Sequence, residues 1–312
     1  MTVLAVGLIG LALLSLPGAL RSAARNIPPE RWARLVVACM LGGAAVWETS
    51  LLLTGRPTVL RATHAAGLAD ACVDALGGLT PTGSPVAGWL AVALATATAV
   101  QGVRTLRRTR RAHAAARVEA WIGAHSDRGA YDLVVLPCAK SVAMSVAGAS
   151  PQVVISDGLV ARLTARQLEL VLRHEASHLA HRHDRFLTTA AFVSEGLRYV
   201  PTARVAARVL VTALERWADE DAVETAADRT CVRDALLAIV GHEIADAVAA
   251  FARPATIRER LAALDAPSPS RAMRPTVVVA TPAVALGLLA AAGLAVSNSQ
   301  GLLLAIARIC TG

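Results

Sequence analysis

Apolar positions along the chain fall into two kinds of run. Four stretches, about 2–20, 35–54, 86–103 and 276–297, are uncharged or nearly so over lengths that suit a helix crossing a hydrocarbon core, which takes about 20 residues. Between the third and fourth, residues 104–275 are of mixed polarity and long enough to form one domain with its own core. That segment opens with short β-rich runs, Leu133–Leu136, Ala143–Val146 and Val153–Ser156, punctuated by Pro137, Gly148 and Pro151, and they predict a small sheet. Thr164 followed by Gln167 has capping-box spacing and opens a long amphipathic helix through Leu168, Leu170, Val171 and Leu172 toward His183. Further helical patterns cover about 202–222 and 231–250, before Pro254, Pro267, Pro269 and Pro275 break the approach to the last apolar stretch. No internal repeat is present.

Composition supports a membrane protein. Of 312 residues, 55% are hydrophobic and 17% charged, with a mean hydropathy of +0.51, which is too apolar for an ordinary soluble chain of this size. The net charge is +8, and Lys140 is the only lysine among 31 basic residues. The arginines report orientation. Arg21, Arg25, Arg31 and Arg34 fill the first loop, and Arg104, Arg107, Arg108, Arg110 and Arg111 follow the third span, so both segments are expected in the cytoplasm. Residues 104–275 then face the cytoplasm, the second loop at about 55–85 faces outward, and both chain ends lie outside. The first stretch lacks a basic segment before its apolar run, so it reads as an anchor and not as a signal peptide. The run Arg104 to Arg117 reads as a basic helix leaving the membrane, where it meets anionic headgroups of the lipid bilayer. Direct nucleic-acid binding is not expected, because no recognition motif accompanies the charge. Cys39, Cys72, Cys138, Cys231 and Cys310 have neither metal-knuckle nor disulfide-framework spacing. Glu48 falls in the second span near its outer end, where a carboxylate suits an interface.

The chemistry concentrates on the long amphipathic helix. His174-Glu175-Ala176-Ser177-His178 is an H-E-x-x-H sequence, and four helical residues turn the two imidazoles about 40° apart, so both can reach one metal ion. Glu175 stands beside the first histidine, placed to take a proton from a metal-activated water without occupying the metal. A catalytic zinc site needs a third protein ligand and an open position. Asp184 is one candidate, but the position where a glycine would end the helix is His181, and an unbroken helix carries Asp184 away. Glu215 is the stronger candidate, because Glu215 and Asp219 share a face of an otherwise apolar helix. Asp219 can then accept a hydrogen bond from a ligand histidine. His181 and His183 lie near the site and extend past it; binding phosphate-like groups and polarising the reaction are readings open to them, and facing water is the expected one. His242-Glu243 lacks a second histidine, and His64, His113 and His125 are isolated. The pattern predicts peptide-bond hydrolysis with one Zn2+ per chain.

The segment GLVARLTARQLELVLRHEASHLAHRHD and the later LERWADEDAV resemble the zinc helix and acidic-ligand motif of the BlaR/MecR-type integral membrane metallopeptidases. The segment RPATIRERLAAL, Arg253–Leu264, resembles the closing segment of the more distant HtpX and CAAX-prenyl-protease type. The resemblance implies an α-helical polytopic membrane protein with four transmembrane helices and an inserted α+β zincin-like (gluzincin) domain. It implies His174, His178 and Glu215 as zinc ligands, Glu175 as the catalytic carboxylate, and Ala147 and Gly148 beside a strand edge that holds the substrate backbone. The division is then 1–103 for the first three spans, 104–275 for the peptidase domain and 276–312 for the last span and tail. β-Lactam receptors of that family carry a penicillin-binding domain after the fourth span, and this sequence has no Ser-x-x-Lys in its tail. The expected substrate is a protein or peptide such as a cytoplasmic transcriptional repressor. A membrane quality-control protease and a non-catalytic zinc scaffold are the alternatives. Oligomeric state, self-cleavage and the activating signal are not legible.

Overall fold

The computed structural model describes residues 2–63, 84–120, 123–243 and 254–266. The expected fourth span at 276–297 and most of the second loop lie outside the described residues. The described part is mainly helical. Helix α1 covers Thr2–Ala19, and after a short 3-10 turn at Ala23–Asn26, α2 covers Pro29–Ala62 and α3 covers Pro85–Ala120. Four strands follow, β1 Ala124–Asp127, β2 Asp132–Leu136, β3 Ala143–Val146 and β4 Gln152–Ser156. Then come α4 Asp157–Val160, α5 Ala165–Ala180, α6 His183–Gly196, α7 Pro201–Ala222, α8 Ala226–Glu243 and α9 Pro254–Leu264.

Two of the apolar helices are longer than their apolar windows. Helix α2 begins at Pro29 and runs through Pro57 to Ala62, and α3 continues from the apolar segment through the arginine run to Ala120. A charged side chain ends a hydropathy window, but it leaves the i to i−4 backbone bonding intact. The second loop therefore starts later than position 55. By length and composition, α2 and residues Pro85–Ala112 of α3 are long and apolar enough to cross a membrane, and α1 is a shorter apolar helix. Glu48, expected at an interface, is half-buried within α2 with one carboxylate oxygen enclosed.

The sheet has the order β1-β2-β4-β3, with β2 and β4 parallel and both outer pairs antiparallel. Strand β1 is exposed throughout and escaped the sequence reading because Ala124-His125-Ser126-Asp127 has no apolar alternation. The two-residue period sorts residues of β2, β3 and β4 onto two faces. Val134, Val146 and Val154 pack on one face. Leu133, Val153 and Ile155 pack on the other with Leu159 and the α5 residues Leu168, Val171 and Leu172. Helix α5 is thereby fixed across the sheet, and its start is set by the expected capping box, with Thr164 Oγ1 accepting from Gln167 N at 3.3 Å and Gln167 Oε1 accepting from Thr164 N at 2.9 Å.

The largest core joins the two halves of the chain. Leu14, Val36, Met40 and Val46 of α1 and α2 pack with Ala190, Val193, Leu197, Leu210, Leu214 and Trp217 of the α6–α7 hairpin. The sequence suggests a domain with its own core after residue 103, whereas here the apolar helices and the hairpin share one. The hairpin tip is tied in by polar contacts as well. Trp47 Nε1 donates to Tyr199 Oη at 3.1 Å, and Thr98 Oγ1 lies 3.0 Å from the same hydroxyl. Helices α1 and α2 approach closely where glycine faces glycine. A Cβ on Gly10 would lie 2.8 Å from Trp47 N, and one on Gly43 would lie 2.9 Å from Gly10 O. Gly43→Val is expected to destabilise the detergent-solubilised chain by about 1–3 kcal/mol through overpacking, read as a lower unfolding temperature. Ala45→Val on the exposed face of α2 should leave that temperature nearly unchanged.

Candidate metal centre

Helix α5 presents His174, Glu175 and His178, and α7 lies across it with Glu215 and Asp219 facing back. Each of His174, His178 and Glu215 offers an atom within 4.8 Å of the others, the one such group with metal-binding geometry among the described residues. The two Nε2 atoms are 3.2 Å apart. Glu215 Oε2 is 3.6 Å from His174 Nε2, and Glu215 Oε1 is 3.8 Å from His178 Nε2. Ligands bonded to tetrahedral zinc at about 2.0–2.1 Å are separated by about 3.3 Å, so the spacing of the three side chains fits three ligands of one zinc ion.

Each of the other imidazole nitrogens has a polar neighbour. His174 Nδ1 lies 3.0 Å from Asp219 Oδ1, an ion-pair distance off the line of a well-formed hydrogen bond. His178 Nδ1 lies 2.8 Å from His183 Nδ1. Both Nε2 atoms point to the shared space. Burial alone would favour neutral carboxyls at Glu215 and Asp219, but Arg260 and His174 overcome it, holding Glu215 well below the usual carboxylate range and Asp219 down at about 2. Burial also disfavours charge on His174, yet Asp219 and Glu215 raise it to about 10. Burial and the neighbouring His174 push His178 down to about 4. Glu175 is raised, chiefly by desolvation, with His174, Arg260 and the Ser145 hydroxyl opposing and Glu215 adding to the rise. A carboxylate more basic than usual is a better proton acceptor near neutral pH.

Arg260, on α9, was not singled out from the sequence, although the segment containing it was. Its Nε and Nη2 donate to Asp219 Oδ2 and Oδ1 at 2.9 and 2.7 Å, and its Nη1 donates to Glu215 Oε2 at 2.9 Å. One fork therefore spans both carboxylates and balances charge that burial would otherwise penalise. Nothing in local periodicity links position 260 to positions 215 and 219; only an acidic pair lacking a cation could have prompted the search.

Two expectations about the stretch after His178 need correction. Helix α5 ends at Ala180, and Arg182 adopts φ 54, ψ 45, a left-handed conformation that a glycine would take at less cost. The break occurs without glycine because both neighbouring residues are anchored. His181 Nε2 and Ser177 Oγ both lie on Asp221 Oδ2, at 2.8 and 2.6 Å, and His183 is fully buried at 0% exposure beside Trp217. His183 thus does not face water, whereas His181 remains exposed. Asp184 sits in the first turn of α6, outside the ligand group. Ala147 and Gly148 follow directly on β3, which is an edge of the four-stranded sheet. His125 lies on β1, 2.5 Å from Asp132 and away from the centre.

Residues 107–223 match the profile described as Peptidase family M48, so a peptidase family M48 domain is present in the chain. The matched range contains His174, Glu175, His178, Glu215 and Asp219, and it ends before Arg260. A 102-residue stretch is 33% identical to plastoglobule-localized metallopeptidase 48, chloroplastic, of Arabidopsis thaliana, covering 32% of this chain and 28% of that protein. No solved structure gives a significant match. The matched family is one of metallopeptidases, in keeping with the His, His and Glu cluster.

Arg260→Met is expected to destabilise the metal-free chain by roughly 3 kcal/mol, the low end for removing one member of a buried ion pair, because the Glu215 side chain is 26% exposed. Zinc should recover part of that loss by replacing the missing positive charge. Denaturant unfolding with a chelator and with added zinc compares the two states.

Proposed function

We propose that the chain is a membrane-embedded zinc endopeptidase whose catalytic face is cytoplasmic. The observation that carries this reading is the convergence of His174, His178 and Glu215 at ligand spacing, with Glu175 alongside, inside an M48 domain. His174 Nε2, His178 Nε2 and a Glu215 oxygen would hold the metal. When bound, zinc supplies Lewis acidity toward water and the scissile carbonyl. Glu175 takes the proton of the attacking water and passes it to the leaving amine. The outer edge of β3, running into Ala147 and Gly148, pairs with the extended backbone of the substrate. Asp219 and Arg260 keep the ligands oriented and the carboxylates ionised.

The membrane reading is supported by α2 and α3, and by apolar side chains turned outward along them, among them Leu41, Leu52, Val86, Trp89, Leu90 and Val100. The fourth span at 276–297 and the cytoplasmic orientation of the centre rest on hydropathy and on the arginine distribution. The sequence resemblance to BlaR/MecR-type peptidases favours regulated cleavage of a cytoplasmic repressor-like protein as the role.

Replacing Glu175 with Gln should preserve zinc binding and lower cleavage by about a hundred- to ten-thousand-fold, the usual contribution of a general base. New protein N-termini are compared in cells making equal amounts of the native and Glu175→Gln chains. Termini in a DNA-binding repressor that depend on Glu175 support the regulatory role, and termini confined to membrane proteins assign the enzyme to quality control instead. Cleavage unaffected by the substitution would sink the mechanism. Stoichiometric zinc with no differing termini under membrane and cell-wall stress leaves a zinc scaffold as the reading.

A further inference from the structure

We infer that His183 is a positioning residue for the metal centre: its unprotonated Nδ1 accepts a hydrogen bond from His178 Nδ1–H and so turns the His178 Nε2 lone pair toward the metal. This rests on the zinc-peptidase reading of the same centre. The two Nδ1 atoms are 2.8 Å apart, and the rings meet edge to face with centroids 4.7 Å apart at 84°. A neutral imidazole carries one N–H, and only one of the two rings can donate in this contact. If His183 donated, the His178 proton would sit on Nε2 and block the metal. If His178 donates, its Nε2 is free, and the His183 proton sits on Nε2. That atom is buried without a hydrogen-bond partner. An enclosed, unpaired polar atom is a cost that packing alone does not explain, and a site kept for packing would be served by an apolar side chain.

The surroundings hold the ring in place. His183 contacts Trp217 at 4.9 Å, Phe186 at 6.2 Å and His181 at 5.9 Å between centroids. The left-handed Arg182 just before it reverses the chain so that the first residue of α6 folds back beneath α5. His174 receives matching support from Asp219. The two ligand histidines therefore have different supports, a carboxylate for the first and a neutral imidazole for the second. A second carboxylate beside His178 would add a buried negative charge to a group that already holds Glu215 and Asp219 beside Arg260 and His174, and a neutral acceptor avoids that.

The test uses the full chain in detergent and compares native protein with His183→Asn and His183→Leu. Zinc affinity is measured by competition with a chelator, and ligand geometry by the visible absorption of the Co2+-substituted protein. Asn places an amide oxygen near the Nδ1 position, while Leu fills the ring's volume better but accepts no hydrogen bond. Positioning predicts that Leu weakens zinc binding by about 10- to 100-fold and alters the cobalt spectrum, and that Asn keeps most of both. Packing alone predicts the opposite order. Leu binding zinc as tightly as native, or Asn losing as much as Leu, overturns the inference. Should Leu fail to fold, nitrogen NMR of the native zinc-loaded chain decides, since a proton on His183 Nδ1 overturns the assignment and a proton on Nε2 supports it. Native chain that takes up no zinc defeats the peptidase reading itself, and the inference with it, whereas native zinc binding with a failed His183 series removes only the inference.

Discussion

Two carboxylates on one turn of α7, Glu215 and Asp219, are held ionised inside the protein, and the arrangement around them follows from that constraint. Left alone, each would take up a proton, because desolvation penalises the charged form. Arg260 closes across both with three hydrogen bonds, and His174 Nδ1 lies 3.0 Å from Asp219 Oδ1. This brings α5, α7 and α9 to one point. An ionised Glu215 is also what a divalent cation requires, so the electrostatic condition for folding and the condition for metal binding coincide. The apolar residues Leu170, Ala222, Val232 and Leu264 pack nearby and fix how far the helices can shift relative to one another.

The second organising feature is the packing of the α6–α7 hairpin on α1 and α2. One end of the hairpin carries His183 and Glu215, and the other carries Tyr199, which bonds to Trp47 and lies against Thr98. Near the metal end, the Arg34 guanidinium of α2 lies 5.6 Å from the Trp217 ring centre, a cation–π arrangement. Trp217 in turn contacts His181 and His183. The apolar helices are therefore in contact with residues that pack beside the candidate metal ligands.

Much of this was legible in the sequence, for identifiable reasons. Strands β2, β3 and β4, the capping box at Thr164 and the helix presenting His174 and His178 follow from local periodicity and local hydrogen bonding, which a chain reports directly. The pairing of Glu215 with the histidines was reachable because a two-histidine site needs a third donor and few carboxylates shared an apolar helix. What could not be read depends on long-range contact. Arg260 meets its partners across a sequence separation of 41 and 45 residues. Arg182 carries no glycine signal, so the turn that buries His183 was invisible. The lengths of α2 and α3 were underestimated because arginine interrupts hydropathy without interrupting a helix. The exposed strand β1 has no apolar pattern to announce it.

The core common to α1, α2, α6 and α7 bears on what can be inherited as a unit. A hydrolytic module that folds by itself can be moved between anchors, because nothing in its interior depends on the anchor chosen. Here a change on the inner face of α1 or α2 alters the surface on which the hairpin rests, and the chain must answer it with a change in α6 or α7. Leu14 and Val36 therefore belong to the same inherited unit as the hairpin that carries Glu215.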